Sequence, residues 1–164
     1  GLKKLNKLKY LDLAGCTSLT HVSALREAPD LQWLNLSRCE RLVSLEGIEG
    51  MASLRELDVG GCLSLQDISP LGKLVKLEEL DLSLLPKLEH VDALNPCQRL
   101  KRVVLAGCEQ LEHVEGLRDQ EELAYLDLSD CNRLQPSPPS RLMVNRSLTP
   151  TGVAVYQERL RASE

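Results

Sequence analysis

Residues 31–39 read LQWLNLSRC, and this stretch decides the fold because it recurs. LKYLDLAGC begins at 8, LRELDVGGC at 54, LEELDLSLL at 77, LKRVVLAGC at 100 and LAYLDLSDC at 123, so each start follows the last by 23 residues. Counted from the first Leu of each repeat, apolar residues return at positions 1, 4, 6, 9, 12, 15 and 18, and often at 21. Positions 4 and 6 alternate with side chains at 3, 5 and 7 that have no place in that apolar set, which predicts a short strand with one buried face. Beyond position 6 the apolar interval becomes three and stays three. An α-helix needs a mixture of threes and fours, whereas an unbroken three suits successive tight turns or 3₁₀ segments. Each repeat is therefore a strand, a turn and a non-α return that carries the chain one layer on. One such layer cannot bury both of its faces, so the layers must stack around a continuous core.

The pattern L-x-x-L-x-L-x-x-C-x-x-L resembles the leucine-rich repeat family, over residues 8–136 or about five and a half repeats. The resemblance implies an α/β-type solenoid: a curved arc with a parallel β-sheet on its concave face, short 3₁₀ or turn segments on its convex face, and little α-helix except near the C-terminus. It also implies a non-enzymatic module that binds a protein through the sheet face. The segments LTHVSAL and LQDISPL are similar to repeats of trypanosomatid proteins and of plant immune receptors.

The composition agrees with a repetitive core. Of 164 residues 43% are hydrophobic, yet there is no Phe, one Trp and three Tyr, so leucine fills the space that aromatics fill elsewhere. No apolar run approaches the roughly 18 residues a membrane span requires, and no secretory signal is visible at the start. The net charge of −4 is unevenly spread: residues 1–9 carry four lysines and no acid, and residues 10–136 carry a balance of −10. An acidic body disfavours nucleic acid and suits a protein partner with a basic surface.

Cys16, Cys39, Cys62, Cys108 and Cys131 all occupy position 9 and form a column, one per layer. A small side chain with a weak S–H donor suits the point where the strand ends. A column does not converge on one point as a zinc site must. Unpaired thiols fit a reducing compartment, so a cytoplasmic location is expected. In repeat 4 Leu85 replaces the Cys and Pro86 follows, which predicts a locally altered turn. Cys97, at position 21, reads as core filler. His21, His90 and His113 share position 14, where His90 and His113 would face each other from consecutive layers, beside Glu89 and Glu112. Two imidazoles make no complete metal site. No nucleophile with its base and no phosphate-binding loop is present, so no cofactor is expected and the chain reads as no enzyme.

The candidate site is what remains on the sheet face. Position 3 reads Tyr10, Trp33, Glu56, Glu79, Arg102 and Tyr125; position 5 reads Asp12, Asn35, Asp58, Asp81, Val104 and Asp127; position 7 is small throughout, from Ala14 to Ser129. Exposed Trp and Tyr are enriched where a partner covers them. The expected partner-binding residues are Tyr10, Asp12, Trp33, Asn35, Glu56, Asp58, Glu79, Asp81, Arg102, Tyr125 and Asp127. Asp at position 5 is also a habit of this repeat class, with a role in solubility as its other reading. Two further functional readings stand beside the first: a structural subunit of a large cytoskeletal or organellar assembly, and the substrate-recognition part of a larger receptor or ubiquitin ligase.

At the ends, Leu2 and Leu5 fall in phase with a preceding repeat, which suggests a longer chain. The solenoid is expected over 1–136 and a Pro-rich irregular segment over 137–148. A helix is expected over 149–164, begun by Thr149 and Pro150 and presenting Val153, Tyr156 and Leu160 on one face.

Overall fold

The computed structural model describes residues 7–135. Six three-residue strands stand at equal spacing: β1 (Tyr10–Asp12), β2 (Trp33–Asn35), β3 (Glu56–Asp58), β4 (Glu79–Asp81), β5 (Arg102–Val104) and β6 (Tyr125–Asp127). They form one parallel sheet in sequence order. The register is the repeat itself: Tyr10 faces Trp33, which faces Glu56, then Glu79, Arg102 and Tyr125. The architecture is the leucine-rich-repeat arc that the 23-residue pattern implies.

The three-residue interval becomes a chain of tight turns. In the second layer Cys39 N–H donates to the Leu36 carbonyl and Leu42 N–H to that of Cys39; the same step repeats at Ile48, Met51 and Leu54. Five short 3₁₀ segments interrupt the return: Ser23–Glu27, Ile48–Gly50, Ser69–Lys73, Asp92–Leu94 and Glu115–Leu117. No α-helix occurs among the described residues. The expected C-terminal helix and the Pro-rich segment before it lie outside them.

From the second layer on, every repeat position predicted as core packs inward. In the second layer Leu31, Leu34, Leu36, Cys39, Leu42, Leu45, Ile48 and Met51 are all fully buried. Layer by layer these form one continuous cluster, against which Leu8, Leu11, Leu13 and Leu19 of the first layer are partly buried. The thiol column caps backbone: Sγ of Cys39, Cys62, Cys108 and Cys131 donates to the carbonyls of Leu13, Leu36, Leu82 and Leu105 in the preceding layers, at 3.1–3.2 Å. Burial pushes the thiols of Cys62 and Cys131 up to about 12 and that of Cys108 to about 11, which keeps the donor proton in place. Cys97 behaves alike, buried at the core and donating to the Leu71 carbonyl at 3.3 Å. Gln120 takes the same place one layer later, its Nε2 donating to the Leu94 carbonyl at 3.1 Å.

The turn expected to differ in repeat 4 keeps the left-handed residue of the other layers but lacks one of their bonds: Leu85 N–H does not reach the Leu82 carbonyl as the cysteine N–H groups reach theirs. The residue after position 7 is left-handed in all six layers, at φ between +55° and +74°: Gly15, Arg38, Gly61, Leu84, Gly107 and Asp130. In the first five layers this residue's N–H bonds across to the next layer: Leu84 N–H reaches the Ala106 carbonyl at 2.8 Å just as Gly61 N–H reaches that of Ser83. Leu85 is buried in the place of the missing thiol. Stacking outweighs the local preference of Leu84, which is forced into the conformation its neighbours adopt.

Candidate protein-binding face

Side chains at positions 3 and 5 project from the sheet because positions 4 and 6 are claimed by the core. Tyr10 is 67% exposed; Trp33 and Tyr125 are half-buried. Between them lies a shallow hollow of about 180 Å³, lined by Trp33, Glu56, Asp58, Glu79, Asp81 and Arg102 over a floor of Leu57 and Leu80. The four carboxylates face one another across two layers, Glu56 beside Glu79 and Asp58 beside Asp81. Among the described residues none of the four makes an ion pair.

Glu78, their neighbour at the strand entrance, is engaged. It pairs with Lys101 at 2.7 Å and with Arg55 on its other side. Lys101, with Arg55 adding to it, holds the Glu78 carboxyl below its ordinary value. The basic side chains of this part of the molecule thus neutralise the rim of the sheet and leave its centre negative.

Position 5 does a second job that the reading of the sequence did not include. Asp12 Oδ1 accepts the Ala14 N–H, Asn35 that of Ser37, Asp58 that of Gly60, Asp81 that of Ser83 and Asp127 that of Ser129, all at 2.8–2.9 Å. Each is an Asx turn that satisfies the second backbone donor past the strand. The signal was present in the sequence as Asp or Asn two residues before a small residue. One oxygen of each carboxylate serves the fold, and the charge remains on the open face. Burial, with Asp81 and Asp12 adding their repulsion and the Gly60 N–H opposing, raises the Asp58 carboxyl above its ordinary value. Val104 interrupts the row and is buried instead.

The structure separates two residues that the sequence reading grouped with the rest. Arg102 faces Glu79 in the sheet register, yet its guanidinium lies 4.0 Å over the Tyr125 ring. That stack ties up Tyr125 and positions a positive charge at the far edge of the hollow. Among the described residues Tyr10 and Trp33 carry no such cation. The described aromatic column therefore has an open end at Tyr10 and Trp33 and a closed end at Tyr125, with the carboxylates between.

On another edge His90 and His113 stack in parallel, ring centroids 5.8 Å apart, as their shared position predicts. No group of three or more His, Cys, Asp or Glu side chains that could hold a metal gathers among the described residues. No helix among them is long and apolar enough to cross a membrane.

No protein-family model and no curated protein matches the sequence. Solved structures do match the fold. An internalin C2 of Listeria monocytogenes is 21% identical with a TM-score of 0.68, covering 90% of this chain and 72% of its own. An internalin, InlF, of the same bacterium is also 21% identical, with a TM-score of 0.63 over 88% of this chain and 47% of its own. Toll, in the Drosophila Toll–Spatzle complex, is 20% identical, with a TM-score of 0.60 over 84% of this chain and 19% of its own. At these identities the likeness is one of fold. The chain spans about half or less of the second and third of these proteins.

Proposed function

We propose that the chain is a non-enzymatic recognition module that binds a protein with a basic surface on the concave sheet face. The observation that carries this is the pairing of an aromatic end, Tyr10 and Trp33, with four carboxylates that no basic side chain among the described residues pairs with. The aromatics would supply buried area and the carboxylates steering and register. Toll, seen in complex with Spatzle, shows that a protein of this fold can hold a protein partner, which supports the reading by analogy of fold. Six free thiols, five of them buried, suit a cytoplasmic setting.

The test is affinity capture with wild type, the double variant Tyr10→Ala/Trp33→Ala and the charge reversal Glu56→Lys/Glu79→Lys, under matched thermal unfolding. Proteins captured by wild type and lost from both variants support the reading. Equal capture by all three, with folding intact, overturns it.

A further inference from the structure

Every junction between layers but one is bonded twice on the limb that leaves the sheet. Between layers 1 and 2, 2 and 3, 4 and 5, and 5 and 6, a cysteine thiol reaches back to a carbonyl of the preceding layer. A backbone bond lies on the same limb each time: Val43 N–H to the Thr20 carbonyl, Ser64 to Glu40, Glu112 to Glu89 and Gln135 to Glu112, at 2.8–3.2 Å. Between layers 3 and 4 neither bond is found among the described residues. The parallel bridges that pair His21 with Ser44, Ser44 with Asp67 and His90 with His113 also skip the step from Asp67 to His90. The reason in the sequence is Leu85, which is bulkier than the cysteine of the other layers and has no S–H to donate. A cleft of about 340 Å³ opens there, between Gln66, Asp67 and Ser69 of layer 3 and Lys87, Glu89 and His90 of layer 4.

The same junction is held where the return rejoins the sheet. Layer 4 carries its cysteine there, and Cys97 Sγ donates to the Leu71 carbonyl of layer 3 at 3.3 Å. Close by, a Cβ on Gly72 would stand 2.9 Å from the Ala93 carbonyl oxygen, so the two backbones touch. The sheet bonds also continue across, with Glu78 and Glu79 N–H on the Arg55 carbonyl and Val59 N–H on that of Asp81. In a stack where each layer touches only its neighbours, the least bonded junction is where the stack parts. Resting on the function proposed above, we propose that layers 1–3 and 4–6 are two bodies hinged at this junction, and that the hinge regulates the binding face. It pivots on the sheet and the Cys97 edge and gapes at the Leu85 edge. The hollow straddles it, with Trp33, Glu56 and Asp58 on one body and Glu79, Asp81 and Arg102 on the other. A partner that spans the sheet face needs both halves aligned, so binding and gaping exclude each other.

Amide hydrogen exchange on the full chain tests the hinge without any variant. Leu42, Leu65 and Leu111 are fully buried, and their N–H groups make the same bond within layers 2, 3 and 5, to the carbonyls of Cys39, Cys62 and Cys108 at 2.9–3.0 Å. A rigid stack protects the three alike, whereas gaping should leave Leu65, which borders the junction, about tenfold less protected. Equal protection overturns the hinge. Leu85→Cys/Pro86→Glu gives layer 4 the Cys-Glu pair of layers 2 and 5 and should bring Leu65 to the protection of Leu42; a folded variant that leaves Leu65 exposed to exchange overturns the missing bonds as its cause. A synthetic Arg-Ser repeat peptide, present at about ten times the Kd read by fluorescence anisotropy, should slow exchange at Leu65 about tenfold. Binding that leaves Leu65 unchanged overturns the regulation. A peptide that does not bind, with Leu65 still less protected, removes the concave-face reading and the regulatory role with it, while binding with equal protection removes the hinge alone.

Discussion

Asp58 accepts the Gly60 N–H on Oδ1 at 2.8 Å, so one carboxylate closes the turn after β3 and also charges the open face of the sheet. The same double use recurs at Asp12, Asp81 and Asp127, while Asn35 closes its turn without charge. The turn bond and the charge on the face are therefore separable at this position by a single atom.

Asp58→Asn should keep the turn, since Asn35 makes the same bond natively, and should unfold within about 0.5 kcal/mol of wild type. Asp58→Ala removes the acceptor and should cost about 1 kcal/mol, the worth of one such bond. Both should weaken binding of a basic peptide. Urea denaturation beside anisotropy separates the two effects; an Asn variant as unstable as the Ala one would refute the division.

The pH dependence should have opposite signs at Asp58 and Glu78. A carboxyl raised above its ordinary value of 3.8, as Asp58 is, favours the folded state below that value, and the benefit disappears as pH rises through the folded pKa. Glu78 is held below its ordinary 4.5, so its contribution is complete above that value and is lost as pH falls through the folded pKa. Stability measured across the acid limb should thus show a shallower loss toward low pH for Glu78→Gln and a steeper one for Asp58→Asn, each relative to wild type.

Thiol chemistry should count the layers. Cys16 is the one exposed cysteine of six. With a small maleimide at neutral pH the folded protein should label quickly at Cys16 alone, and all six should react in denaturant. Rapid native labelling of Cys62 or Cys131, whose pKa burial pushes up to about 12, would contradict the buried column.

Two glycine substitutions should differ in cost. Gly15→Ala meets open space and only the left-handed backbone, a penalty of about 1 kcal/mol. Gly116→Ala would place its Cβ 1.9 Å from the Val91 carbonyl oxygen, so two layers must separate and the loss should exceed about 2 kcal/mol. Thermal unfolding of the pair checks the order.

Most of the core was legible in the spacing. Leu31, Leu34, Leu36 and their equivalents are buried where the repeat places them, because a stacked layer leaves an apolar side chain only one dry face. The altered turn expected at Leu85–Pro86 is found in part: Leu84 keeps the left-handed course through its bond to Ala106, but Leu85 N–H does not make the bond to the Leu82 carbonyl that its equivalents in the other layers make. The Asx role of Asp58 was readable from Asp two residues before Gly, but the acid was first read only as an outward-facing charge.

From sequence alone, then, the period of 23 determined the stack, the buried columns and the row of side chains left on the sheet. What only the tertiary structure decided is where the flexible and charged members of that row turn. Arg102 has Glu79 on one side and Tyr125 on the other, at equal distance in sequence, and it lies over the ring. Arg55 and Lys101 both close on Glu78, leaving Glu56 and Glu79 without an ion pair among the described residues. Repetition makes neighbouring layers equivalent along the chain, so the spacing says which residues meet. Which of two neighbours a long side chain chooses depends on the field and space around it, and those exist once the layers are stacked.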